Sequence, residues 1–106
     1  MDVLKYGPDQ IAMMVASEFL RASERTQYAS IANNCFERAR ELMGILETIP
    51  LTEDVAQELS PVYGRCTRDQ LMIDDRMPLE RVRKISLEVA SAFEKASENI
   101  RKAGHA

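Results

Sequence analysis

Between widely spaced prolines, the apolar residues of this chain return every three or four positions, and that recurrence limits the fold before any other property is considered. An α-helix brings residues three and four apart onto one face, whereas a half-buried strand needs alternation by two. The clearest run is Tyr28, Ile31, Ala32, Cys35, Phe36, Ala39, Leu42, Met43 and Leu46. It has the helical step throughout and predicts a wide core-facing stripe.

The prolines divide the rest. Pro8 suits a first helical position and predicts a helix to about Ser23, with Ile11, Val15, Phe19 and Ala22 on its inner face. Met13 and Leu20 fall on the opposite side, and a helix apolar nearly all round is expected to be buried on more than one face. Ser23–Thr26, polar but without glycine or proline, predicts a turn or kink, the alternative being a helix that runs straight through. Thr48–Thr52, around Pro50, predicts a loop with Thr52 as N-cap and Glu53 and Asp54 complementing the helix dipole. A third helix carries Val55, Leu59, Val62, Tyr63, Cys66 and Ile73. Pro61 is expected either to kink it or to divide it, with Ser60 capping the second piece. After a turn at Asp74–Met77, Pro78 opens a last helix to about Ala103, lined by Leu79, Val82, Ser86, Val89, Phe93, Ala96 and Ile100 and ended by Gly104. Short connections make neighbouring helices antiparallel. The expectation is an all-α, antiparallel up-down four-helix bundle, one domain over residues 1–106, with residues 1–7 as an N-terminal arm and 104–106 as a frayed tail.

Several function classes find no residues to carry them. A net charge of −3, with Arg81, Arg83 and Lys84 interleaved with Glu80 and Glu88, gives a solvated helix face and no electrostatic grip on nucleic acid. No run is long and apolar enough to insert in a membrane, and the start of the chain lacks a signal-peptide pattern, so a cytoplasmic location is expected. The single histidine, His105, stands in the tail and supports no triad, multi-histidine metal site or di-iron pair. Cys35 and Cys66 lie on the apolar phase of their helices and are expected to be reduced, buried packing residues. Asp74 and Asp75 lack the glycine of a calcium loop, and no phosphate-cradling glycine motif occurs. Carboxylates fall mostly at outward phases. The chain is therefore expected to be neither an enzyme nor a holder of metal or cofactor.

What remains is a set of apolar residues off the core stripes: Met13 and Leu20 on the first helix, Ile45 on the second, Leu71 and Met72 on the third and Leu87 on the last. They read either as scatter at the edge of the core or as a second apolar surface for a protein partner or for self-association. A groove for an amphipathic helix and an obligate homodimer both use such residues. A small-ligand site around Cys35, Cys66 and Tyr63 is a third, weaker expectation.

The order of features resembles the flagellin export chaperones of bacteria, the FliS family. Gly7-Pro8-Asp9-Gln10-Ile11, followed by Met13-Met14, is similar to the opening of that family's first helix. Ala39, Leu42, Met43 and Leu46 resemble its second, Leu59, Val62 and Tyr63 its third, and Val89–Ala96 its last, with Phe93 where the family usually has tryptophan. Val15-Ala16 replaces the leucine-tyrosine pair of the first helix, and Pro61 interrupts the third. The resemblance implies a small cytosolic bundle that holds helical segments of an aggregation-prone secreted client in surface grooves.

Overall fold

Helix formation follows the proline punctuation. In a computed structural model that describes residues 6–24, 29–66 and 79–103, four helices form and no strand occurs among the described residues: α1 (Pro8–Glu24), α2 (Ala29–Glu47), α3 (Glu53–Arg65) and α4 (Leu79–Lys102). The turn expected at Ser23–Thr26 lies partly outside the described residues, as do Ile73, the Asp74–Met77 turn, Gly104 and His105.

Pro8 takes the first helical position of α1, where its missing N–H costs nothing. Gln10 reaches back so that its Oε1 accepts the Gly7 N–H at 3.0 Å, half of a capping box. At α3, Thr52 stands at the N-cap as expected, but its hydroxyl makes no capping bond. The first turn is closed by the Ala56 N–H donating to the Thr52 carbonyl at 2.9 Å, with Glu53 and Asp54 beside it. Pro61 neither ends α3 nor starts a new helix: α3 runs through it to Arg65. Both Pro61 and Gln57, whose carbonyl loses its helical donor, are exposed, so this break in the helical ladder falls on the solvent side of α3.

The antiparallel order can be read from side-chain pairs. Ser97 on α4 donates to the Asp9 carbonyl of α1 at 2.8 Å, joining the end of one helix to the start of the other. Arg38 of α2 meets Glu18 of α1, and Met14 shares a groove with Leu42 and Ile45, so α1 and α2 run opposite ways. Glu58 with Asn99 and Arg65 with Glu88 reverse α3 against α4. The helices therefore alternate up and down, as the sequence predicts.

α1 is the centre of the packing, with α2 on one flank and α4 on the other, while α3 rests on α4. The small buried residues Ala12 and Ala16 of α1, and Ser86, Ala90 and Ser97 of α4, allow close approach. One aromatic from each helix forms a chain through the core in the same spatial order: Phe36 and Phe19 have ring centroids 5.8 Å apart, Phe19 and Phe93 6.4 Å, and Phe93 and Tyr63 6.1 Å. Both cysteines are free and buried, as expected. No helix among the described residues is long and apolar enough to cross a membrane.

A candidate partner-binding groove between the first two helices

The broad burial of α1 leaves two outer edges, and they differ. On the α2 side, Met14, Ser17, Glu18 and Arg21 form a row at the i, i+3, i+4, i+7 spacing of one helical face. Opposite, α2 supplies Arg38, Glu41, Leu42 and Ile45 at the same spacing. Two such rows on antiparallel helices enclose an open groove of about 540 Å³.

The antiparallel register gives the groove a direction. Met14 faces Leu42 and Ile45, which makes one end apolar. Arg21 and Arg38 come together at the other end, above Glu18. The Glu18 side chain is only 11% exposed. Its Oε2 accepts from Arg38 Nε at 2.9 Å and its Oε1 from Arg21 Nη1 at 3.2 Å. Arg38 also reaches the Cys35 sulfur at 3.5 Å. The hydrogen bond to Glu18 and the charge of that carboxylate push the Arg38 guanidinium further up from an already high value. A carboxylate buried so far needs both partners, since an unpaired charge there would carry a large desolvation cost.

The outward-phase reading of the carboxylates thus misses Glu18. Its place between Val15 and Ala22, three residues after one and four before the other, is the signal that it shares their face. The sequence points to Met14 only through the resemblance and does not single out Arg21 or Arg38, and it places Leu42 on the core stripe.

Among the residues expected to meet a partner, Ile45 lines the groove and is half buried against the core. Met13, Leu20 and Leu87 lie elsewhere, exposed by 43%, 37% and 46%. Met13 borders a shallow hollow with Tyr6, Gln10, Met14, Ser97 and Arg101, between the start of α1 and the end of α4. Leu20 stands on α1 and Leu87 on α4, and neither lines the groove. Leu71 and Met72 lie outside the described residues. The described members of the expected surface therefore do not form one patch: Ile45 lines the groove and Met13 the hollow, with Met14 shared by the two.

The third candidate region is a cleft of about 280 Å³ between the end of α2 and α3, lined by Leu46, Glu47, Ile49, Leu51, Leu59 and Tyr63 among others. Burial first, then the nearby Glu47, pushes the Tyr63 hydroxyl up to about 12, and burial pushes the Cys66 thiol up to about 11. Both groups are therefore neutral and unreactive near pH 7. Cys35 belongs to a different seam, beside Arg38.

Comparison of the chain with family models, with curated proteins and with solved structures returned no match.

Proposed function

We propose that the chain is a non-catalytic, protein-binding helical bundle that holds an amphipathic helix of a partner in the groove between α1 and α2. The observation that carries this reading is the pair of facing rows, whose apolar members Met14, Leu42 and Ile45 leave part of their surface open to solvent in a groove of about 540 Å³. Such a groove receives a helix through anchors spaced i, i+3 or i+4, and i+7. Its methionine is adaptable, which suits a holder of varied segments. The resemblance to flagellin export chaperones points the same way, toward a cytosolic holder of a secreted client. That specific role rests on the residue likeness alone.

The test is selection of helical peptides from a displayed library by the purified protein, run in parallel on Leu42→Ser/Ile45→Ser with helicity checked by circular dichroism. Enrichment of sequences with apolar i, i+4, i+7 spacing on the unsubstituted protein, lost in the double variant, supports the groove. Enrichment of no helical sequence, or enrichment indifferent to the two serines, rejects it.

A second reading, a homodimer, is favoured by Met13 and Leu20 on α1 and Leu87 on α4, which are exposed outside the groove. Sedimentation equilibrium decides it: a dimer dissociated by Leu20→Arg/Leu87→Arg supports the reading, and a monomer at high micromolar concentration removes it.

A further inference from the structure

The groove has a charged end as well as an apolar one, and the charges are unequal. Two guanidinium groups share the single carboxylate of Glu18, which uses both oxygens on them. Arg21 and Arg38 are each about half exposed. Among the described residues, Nε and Nη2 of Arg21 and Nη1 of Arg38 have no partner. At this end two cations thus meet one anion, on planar donors whose positions are set from below by a buried acid, although the four charged lining residues together are neutral. The other charged lining residue, Glu41, sits on α2 toward the apolar end. In a chain of net charge −3 this makes a local cationic point within a groove that also offers an oily floor. Guanidinium pairs of this kind suit a carboxylate, which accepts two parallel N–H bonds.

We infer that the groove reads an acidic amphipathic helix of a partner protein, seating its apolar side chains on Met14, Leu42 and Ile45 and its carboxylate on Arg21 and Arg38. This rests on the groove reading above and adds the chemistry and orientation of the occupant. Seven residues separate Met14 from Arg21, which is about 10 Å along a helix. The carboxylate of the occupant accordingly lies about two turns from its apolar anchors. The negative C-terminal end of the bound helix's dipole also favours the arginine end, and its N-terminal end favours Glu41. The openness of the groove to solvent along both rows fits a helical segment better than an enclosed small molecule.

The experiment uses two fluorescein-labelled peptides with blocked termini. Both carry leucine at i and i+4 on a helical background; one has glutamate at i+8 and the other lysine. Fluorescence anisotropy against the full chain is expected to show the glutamate peptide binding at least about tenfold tighter, the scale of one charge-assisted contact. In Arg21→Gln/Arg38→Gln the preference is expected to vanish, and in Arg21→Glu/Arg38→Glu to invert. The comparison of peptides on the unsubstituted chain stands even where a variant folds poorly. Equal affinity for both peptides overturns the charge reading while leaving the groove in place. Failure of both to bind, or binding unchanged by Leu42→Ser/Ile45→Ser, overturns the groove reading with it. Displacement of the glutamate peptide by octanoate at lower concentration than by unlabelled peptide overturns the assignment in favour of a small anionic amphiphile. A chain found dimeric through the groove, and made monomeric by Ile45→Ser, overturns it in favour of a second copy.

Discussion

Replacement of Phe19 by alanine tests whether α1 organises the bundle. The ring is fully buried and lies between Phe36 on α2 and Phe93 on α4, 5.8 and 6.4 Å away. Truncating a buried phenylalanine costs about 3–5 kcal/mol, from lost transfer energy and the cavity left behind. Each aromatic pair adds about 0.5–1.5 kcal/mol beyond burial. Phe19 belongs to two pairs and touches both flanking helices, so its cost belongs near the top of that range. Phe36 is equally buried but belongs to one pair, so Phe36→Ala is expected to cost about 1 kcal/mol less by the same pair term. Domains of this size are stable by about 5–15 kcal/mol, so Phe19→Ala is expected to leave a folded but fragile protein. Its melting temperature should fall by about 20–40 °C, for about 5 kcal/mol at about 4–8 °C per kcal/mol. Urea unfolding followed by circular dichroism at 222 nm, with Phe19→Ala, Phe93→Ala and the double variant, measures each cost and the coupling between the rings. A cost for Phe19→Ala below about 1 kcal/mol, or one smaller than that of Phe36→Ala, would refute the placement of α1 at the centre.

Three further outcomes follow from single residues. Gly44 is exposed inside α2, and a Cβ there meets nothing within 4 Å, so Gly44→Ala should stabilise the protein by about 0.5–1 kcal/mol in urea titration; a loss would show a constraint on the α2 backbone. Pro61→Ala in α3 restores a helical N–H and relieves a clash, and is expected to raise stability by about 1–3 kcal/mol; an unchanged midpoint would mean that α3 has already adapted to the ring. The third outcome concerns alkaline pH. Burial raises Cys66 from 9.0 to about 11 and Tyr63 from 10.0 to about 12, so the fold favours their neutral forms. Their contribution is whole below the unfolded values and is lost as pH rises through about 11 and 12. It is on the order of 2 kcal/mol for the thiol, and less for the half-buried phenol because solvent screens it. Urea midpoints at pH 8.5 and 11 should differ accordingly, and a Cys66→Ala variant that keeps the full decline would refute the assignment to this thiol.

The sequence determined the inner faces closely because burial and helical phase obey one period. The spacing places Leu79, Val82, Ser86, Val89, Phe93, Ala96 and Ile100 on one face of the last helix; the Leu79 side chain lies outside the described residues, and the other six are buried. On α2 the same holds for Ala32, Cys35, Phe36, Ala39, Met43 and Leu46, while Leu42 is half buried because it faces the groove as well as the core. Pro61 was the harder residue. Its cost depends on whether the orphaned carbonyl meets water, and that depends on which side of α3 faces out. Local sequence offers both outcomes, and tertiary exposure selects one. The N-cap at Thr52 was placed correctly for a similar but incomplete reason: residue type and position favour it, while the bond its hydroxyl can make depends on backbone angles that the residue type leaves open.

The groove was less legible, and the cause lies in how it is built. Each of its rows is an unremarkable helical face on its own. Met14, Ser17, Glu18 and Arg21 read as the polar shoulder of α1, and Arg38, Glu41, Leu42 and Ile45 as a mixed edge of α2. Only the register between the helices makes them one feature, and register is a tertiary quantity. Glu18 is the informative residue. On a helix whose other buried positions are Ile11, Ala12, Val15, Ala16, Phe19, Ala22 and Ser23, it is the one buried charge. If the requirement were only to fasten α1 to α2, a leucine at position 18 would do so without desolvating an ion, and exchanges of buried ion pairs for apolar residues are often neutral or stabilising. A buried carboxylate that draws two arginines from different helices to one end of an open apolar groove achieves what leucine cannot. It fixes the direction of guanidinium donors that remain half exposed. The expense of burying that charge makes sense if those donors are there to meet another molecule, and it is hard to account for if they meet only water.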